Sequence, residues 1–280
     1  MTTSLSPDVI TLLAQAACLI EVSAPKPGNV TPQHSFPDTS YEDFLLSAAA
    51  IGPAFRHAAE AGVGATVLRA LQDTRRLVRA NTNLGILLLL APLACAAGSG
   101  AGPLRERLAR VLRSLTRADA RDAYAAIRLA SPGGLGRAAN QDVRAEPMQT
   151  LLDVMALAAE RDSIAREYTT NYDITFGLVV PALGEARRAG LSWSSAALEA
   201  YLRTLAAVPD TLVARKEGRH AAELVSAGAG RVVAATGLAR AEALAAFDAE
   251  LRGHGNRRNP GTTADLIAAG LFVALAAEAG

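Results

Sequence analysis

The sequence predicts an all-α fold, a single compact multi-helix globular domain of about ten or more helices over residues 1–280. Ala, Leu and Arg, which are strong helix formers, dominate the chain, whereas strand-like runs of Val, Ile, Thr and aromatic residues are nearly absent. Clusters of Pro, Gly and Asn separate the helical patterns at residues 25–28, 131–134 and 256–261. Half of the residues are hydrophobic, so a chain of this length can bury a full core.

The first helix can be recognised from its beginning. Ser6 can cap it, Pro7 suits the first helical position, and Asp8 complements the positive end of the helix dipole. Apolar residues then recur at helical spacing. Similar patterns predict helices over residues 41–60, 66–79, 84–97, 104–114, 118–130, 148–167, 174–189, 195–207, 219–227, 239–252 and 263–278.

Charge and hydropathy argue against two classes of partner. The net charge of +1 provides no long-range attraction to nucleic acid or to anionic lipid. The most apolar run, residues 84–97, is shorter than the roughly 20 residues that a membrane-spanning helix needs. Residues 1–6 lack the pattern of a secretory signal, and Cys18 and Cys95 lie in apolar helical patterns. We therefore expect a cytoplasmic protein that binds neither nucleic acid nor membrane; a homo-oligomer is compatible with the sequence.

The first polar cluster follows the end of the first helix. Glu21 precedes a loop in which two prolines, one of them Pro27, fix the backbone on both sides of Lys26. Gly28 permits a close approach or a positive φ, and Asn29 follows it. A rigid loop that carries one lysine suits a fixed anionic ligand. An ordinary helix-ending turn with a solvated lysine explains the same residues equally well.

Two further clusters stand directly before predicted helices. Asn81 and Asn83 precede an apolar helix, whose N-terminus is able to hold an anion; helix capping alone is the competing explanation. Asp173 begins another helix, where it either caps the helix or serves the chemistry of a site.

The last clusters combine acids with cations. Asp210 is followed by Arg215 and Lys216, which either face one site or form a salt-bridged helix end. Asn259 and Gly261 lead into the last helix, whose first turn contains Asp265. Asp265 is either a partner of the helix dipole or, together with Asp173 and Asp210, a ligand of Mg²⁺ through water.

These loops, taken in order, resemble the triphosphoribosyl-dephospho-CoA synthase family over nearly the whole chain. The matching pieces are Glu21-Val22 with Pro25-Lys26-Pro27-Gly28, Asn81-Thr82 with Gly85, Asp210-Thr211 with Arg215, and Pro260-Gly261 with Ala264-Asp265-Leu266. The resemblance implies a transferase that moves the triphosphoribosyl group of ATP to 3′-dephospho-CoA and releases adenine, with Mg²⁺ as the expected cofactor.

The chain departs from the family pattern at two loops. Asn83 and Leu84 stand where family members typically have His and Lys, and residues 29–31 read Asn-Val-Thr instead of Leu-Val-Asp. The chain therefore looks more like the divergent branch of archaea and one-carbon-metabolising bacteria, in which a different acceptor, of the kind used in C1-carrier synthesis, is an alternative. A metal-dependent hydrolase and a non-catalytic nucleotide-binding protein are further alternatives.

The resemblance implies three groups of site residues. Glu21, Asp173 and Asp210 are the catalytic candidates, and Asp173, Asp210 and Asp265 are the candidates for binding the metal. Substrate and phosphate contacts are expected from Lys26, Pro27, Gly28, Asn29, Asn81, Asn83, Arg215, Lys216, Asn259 and Gly261.

Overall fold

The computed structural model describes residues 3–130, 145–253 and 255–279, and these residues form α-helices without a β-strand. The turn expected at residues 131–134 lies outside the described residues. The helices are α1 Pro7–Ser23, α2 Tyr41–Ala50, α3 Gly52–Arg56, α4 Ala58–Ala61, α5 Val63–Arg75, α6 Leu84–Gly98, α7 Leu104–Arg113, α8 Arg117–Ala130, α9 Leu151–Ala156, α10 Ser163–Thr170, a π-helical segment Thr175–Val179, α11 Val180–Arg188, α12 Trp193–Ala207, α13 Thr211–Glu217, α14 Arg219–Ala234, α15 Gly237–Arg252 and α16 Gly261–Ala279. The predicted all-α fold is confirmed.

The beginning of α1 follows the predicted rules. Ser6 occupies the N-cap position and its Oγ accepts a hydrogen bond from the Val9 N–H at 3.4 Å. Pro7 fills the first helical position, where its missing N–H costs no intrahelical bond.

Two predicted helices are interrupted in the structure. The range 41–60 is divided into α2, α3 and α4, because Pro53 lies in the first turn of α3 and cannot donate a hydrogen bond back into α2. The range 148–167 is divided into α9 and α10, and Asp162 caps α10 by accepting from the Ile164 N–H at 2.9 Å. Helix α13 was not predicted at all; it is short and lies between two polar loops.

Helices α6 and α16 form the centre of the fold. They contact each other, and α16 also contacts α1, α11 and α12. One hydrophobic cluster connects residues from α1 to α16. At Gly270 a Cβ atom would lie 2.2 Å from Val179 Cγ1, so the absent side chain lets the π-helical segment approach α16 closely.

Helix α16 is the one described helix that is long and apolar enough to cross a membrane by length and composition. Of its most apolar stretch, 67% is buried inside the protein, which is the behaviour of a core helix. Both cysteines are likewise buried and free, as their apolar surroundings in the sequence predicted.

The arrangement of the central helices brings distant loops together. The side chain of Asp265, one turn after the beginning of α16, lies against Gly85, in the first turn of α6. The loops that lead into these two helices therefore open at the same end of the fold, where the last turn of α1 also contributes Glu21.

Candidate active site

A cavity of about 1510 Å³ lies at this end of the fold. It is larger than the roughly 300–1,000 Å³ that is typical of a pocket for one small ligand. Its walls come from the end of α1, the connection between α5 and α6, the turn before α10, the two ends of α13 and the loop before α16. Nine of the predicted site residues line it: Glu21, Asn29, Asn81, Asn83, Arg215, Lys216, Asn259, Gly261 and Asp265.

The carboxylate of Asp265 marks the acidic part of this cavity. A Cβ atom on Gly85 would lie 2.0 Å from Asp265 Oδ2, so the carboxylate occupies the space that any larger residue at position 85 would fill. No described residue is seen to hydrogen-bond to or pair with this carboxylate. Burial, together with the negative charges of Glu21, Asp210 and Asp162, raises the pKa of Asp265 well above its ordinary value. This raised pKa is the property expected of a general base or of a carboxylate that awaits a cation.

Glu21 and Lys26 form a buried ion pair beside the cavity. Lys26 Nζ lies 2.9 Å from Glu21 Oε1, and it also donates to the carbonyl oxygens of Glu21 and Ala24. The Lys26 side chain is 0% exposed and does not line the cavity. The lysine therefore compensates the charge of Glu21, and the phosphate contact predicted for it is not available in this arrangement.

The rest of the Pro-Gly loop is held by hydrogen bonds to other helices. Gly28 has a φ of +72°, and its N–H donates to Asp248 Oδ1 at 2.8 Å. Asn29 Nδ2 donates to the Tyr201 hydroxyl at 2.8 Å, and that hydroxyl donates to the Pro27 carbonyl at 2.9 Å. These bonds hold the loop against other helices, and Pro27 and Gly28 support the wall of the cavity without lining it.

Asp210 links α13 to α16. Its Oδ1 accepts from the N–H groups of Leu212 and Val213 at 2.9 and 3.0 Å. Its Oδ2 accepts from the N–H and the hydroxyl of Thr263 at 2.7 and 2.8 Å. Since both oxygens are engaged and the side chain is buried away from the cavity, we correct the predicted metal and catalytic roles: Asp210 positions the turn of α16 that carries Asp265.

Asp173 lies outside the cavity. Its carboxylate accepts from Arg166 at 2.6 Å and from the Thr170 hydroxyl at 2.7 Å. Burial alone would raise the pKa of this carboxyl, but these hydrogen bonds lower it overall. The three aspartates predicted to bind Mg²⁺ are thus not brought together, and the described residues contain no cluster of three or more metal-binding side chains.

Cationic side chains also line the cavity. They are Arg75, Arg79, Arg161, Arg166, Arg215, Lys216 and Arg219. Lys216 Nζ donates to the Asn256 carbonyl at 3.0 Å, and burial together with the neighbouring charge of Arg215 lowers its pKa. No hydrogen bond or ion pair from a described residue is seen at the Arg215 guanidinium, which leaves its planar donor group for a ligand.

Sequence reasoning missed five of these arginines and Asp162. In the sequence the arginines resemble solvated helix charges, because Arg is common along the whole chain. A signal was present at Asp162, since an aspartate directly before a helical pattern is a typical N-cap and Arg161 stands beside it. That signal predicts the end of a helix but not a position in a cavity.

In the connection before α6, the hydrogen bonds of the two asparagines decide between helix capping and a role in ligand binding. Asn81 Oδ1 accepts from the Leu84 N–H at 3.3 Å and so acts as a cap. Asn83 makes no capping bond, although it occupies the N-cap position, and its Oδ1 is buried without a hydrogen-bond donor from the described residues. Capping therefore explains Asn81, whereas Asn83 is left for a ligand.

Comparisons with known proteins identify the family of this chain. The family model described as CitG, ATP:dephospho-CoA triphosphoribosyl transferase, matches residues 7–280. The structure is similar to the crystal structure of a protein of Archaeoglobus fulgidus that is provisionally assigned as a triphosphoribosyl-dephospho-CoA synthase, with a TM-score of 0.67 and 32% sequence identity. The similarity covers 83% of this chain and 98% of the archaeal chain. A comparison with curated proteins finds no match.

Proposed function

Because this chain belongs to the family of ATP:dephospho-CoA triphosphoribosyl transferases, we propose that its cavity holds ATP and a dephospho-CoA acceptor together and transfers the triphosphoribosyl group between them. The observation that carries the proposal is one cavity whose wall contains both several cations and the carboxylate of Asp265, to which no described residue is seen to hydrogen-bond. The volume of about 1510 Å³ supports two ligands, since it exceeds what one small ligand usually needs.

The triphosphate binds at the cations. Arg215 and Arg219 flank the beginning of α14, where Gly218 leaves the first N–H groups of the helix without a side-chain cap. Charge-assisted hydrogen bonds from guanidinium groups, together with the positive end of a helix, suit a polyphosphate. Lys216 adds a third charge from the neighbouring turn.

The acceptor occupies the apolar part of the cavity. Leu88, Tyr124, Ile127, Leu151 and Met155 line this part. Apolar walls of this kind suit the extended alkyl-amide arm of a dephospho-CoA molecule better than they suit a charged group. The choice between dephospho-CoA and a C1-carrier acceptor remains a prediction, and the acceptor screen described below distinguishes the two.

The acidic residues fit a Mg²⁺ ion. Burial, and then the charges of Glu21, Asp210 and Asp162, raise the pKa of Asp265, so a cation near these carboxylates would offset their repulsion. Asp162 uses Oδ1 to cap α10, and its other oxygen would hold the ion together with the triphosphate, since Mg²⁺ is usually held by one or two carboxylates plus phosphates. When bound, the ion neutralises charge on the triphosphate.

The chemistry of transfer places a base beside the attacking hydroxyl. The bond between C1′ of the ribose and the adenine nitrogen breaks, its electron pair leaves with adenine, which takes up a proton from water, and the acceptor hydroxyl oxygen bonds to C1′. The hydroxyl proton passes to the carboxylate of Asp265, whose pKa is raised by burial, and is then released to water. Glu21 lines the same region, where its ion pair with Lys26 holds its carboxylate in place.

The proposal is tested by incubating the protein with ATP and Mg²⁺ together with either 3′-dephospho-CoA or a pterin acceptor, and measuring adenine and the adduct by mass spectrometry. We expect adenine and the dephospho-CoA adduct in equal amounts. Asp265→Asn should abolish transfer while ATP binding is kept. Asp162→Asn, which retains an N-cap residue, should weaken the Mg²⁺ dependence of ATP binding. Adenine release from ATP alone would contradict the proposal and favour the hydrolase.

A further inference from the structure

The amide of Asn83 is one of the few polar groups that the cavity wall leaves unsatisfied. The side chain is buried, with 4% of its surface exposed, and it lines the cavity. No described residue donates a hydrogen bond to its Oδ1. A buried acceptor without a donor destabilises a fold, so such a group in a cavity wall calls for a partner that arrives with the ligand.

A chain of hydrogen bonds determines which amide atom faces the cavity. The Thr74 hydroxyl donates its single hydrogen to the Ala70 carbonyl at 2.9 Å. It therefore offers Asn83 only a lone pair, and Asn83 Nδ2 donates to it at 3.0 Å. With Nδ2 turned toward α5, Oδ1 is left as the buried acceptor without a donor on a residue that lines the cavity.

We propose that Asn83 Oδ1 accepts a hydrogen bond from the nucleoside part of ATP and that Thr74 positions the amide for this purpose. The proposal rests on the proposed function, and it adds which part of ATP the cavity wall recognises. A phosphate is excluded as the partner, because its oxygens are acceptors and offer no hydrogen to Asn83 Oδ1. Its negative charge would also be repelled by the carboxylate of Asp265, which lies beside Gly85. The donors that ATP offers are the 6-amino group of adenine and the ribose hydroxyls.

Nucleotide analogues distinguish the 6-amino group of adenine from the ribose hydroxyls as the source of this donor. Inosine triphosphate replaces the 6-amino donor with an oxygen acceptor, which would face Asn83 Oδ1 directly. 2′-Deoxy-ATP and 3′-deoxy-ATP keep the base and each lose one hydroxyl donor. An unpaired buried acceptor should weaken the binding of the relevant analogue to the wild-type protein by roughly 10- to 100-fold relative to ATP.

The test is isothermal titration of ATP and the three analogues, in the presence of Mg²⁺, into wild type, Asn83→Ala and Thr74→Val. We expect Asn83→Ala to bind ATP more weakly and to lose the discrimination against one analogue. Thr74→Val should also lose most of the discrimination, because the amide is then free to turn, and Thr74→Ser should restore it. Thr74→Val provides the second test if Asn83→Ala fails to fold.

Helix α5 supplies a matched control. The Thr66 hydroxyl makes the same type of bond, to the Gly62 carbonyl at 2.7 Å, but Thr66 is buried and does not line the cavity. Thr66→Val should therefore leave the discrimination unchanged.

The proposal is overturned if wild type binds all three analogues as tightly as ATP, or if Asn83→Ala preserves every ratio. Failure of the proposed function looks different, since wild type would then show neither ATP binding nor adenine release.

Discussion

Gly85→Ala is the substitution that probes the contact between α6 and α16 most directly. The new Cβ atom would lie 2.0 Å from Asp265 Oδ2, 2.6 Å from Asp265 Cγ and 2.8 Å from Ile164 Cδ1. Ordinary contacts of this kind begin at about 3.4 Å, so the carboxylate must move by more than about 1 Å. Since Cγ is also too close, the aspartate must leave its present rotamer.

The effects on stability and on catalysis should differ in size. Overpacking costs about 1–3 kcal/mol, and replacing a helical glycine by alanine returns up to about 1 kcal/mol. We therefore expect a loss of about 0–3 kcal/mol in the free energy of unfolding. A catalytic group displaced by about 1 Å lowers the rate by roughly 100-fold, so adenine release should fall by about that factor.

Gly230→Ala is the matched control. Gly230 lies within α14, and a Cβ atom there would meet nothing within 4 Å. This variant should gain up to about 1 kcal/mol of stability and keep the wild-type rate. Both variants are measured by thermal unfolding and by acceptor-dependent adenine release. If Gly85→Ala releases adenine as fast as Gly230→Ala does, the position assigned to Asp265 is wrong.

Three other substitutions test acidic residues and their partners. Lys26→Met leaves Glu21 uncompensated and should cost about 3–5 kcal/mol, seen as a lower unfolding temperature; wild-type stability would show that the ion pair is unimportant. Burial raises the pKa of Glu167 to about 7 from 4.5, so the folded state binds more protons than the unfolded state between these values. The free energy of unfolding should therefore fall by about 3 kcal/mol as pH rises through this window, and Glu167→Gln should remove that fall; parallel pH profiles of the two proteins would refute it. Asp173→Ala should leave transfer within a few-fold of wild type, and a loss comparable to that of Asp265→Asn would restore Asp173 to the site.

The sequence predicted the helices well, because helix formers, caps and breakers act locally. Errors arose where one proline or one polar cap divided a long pattern, as at Pro53 and Asp162. The helix α13 escaped detection because a helix of 7 residues leaves little periodicity to recognise.

The candidate site was predicted only in outline. The loops that converge could be named from their polar residues, but their sequence does not show which oxygen atoms are already bonded. Asp210 and Asp265 both stand near the beginning of a helix, yet one accepts four hydrogen bonds and no described residue is seen to bond to the other. Only tertiary contacts, such as that between Asp265 and Gly85, distinguish a supporting carboxylate from one that faces a ligand.

The most direct test of the proposed site is acceptor-dependent transfer by wild type and Asp265→Asn, with ATP, Mg²⁺ and 3′-dephospho-CoA, followed by mass spectrometry of the adduct. Wild type should form the triphosphoribosyl adduct together with one equivalent of adenine, and Asp265→Asn should bind ATP but form neither product. Adduct formation by Asp265→Asn at the wild-type rate would contradict the proposed role of this carboxylate.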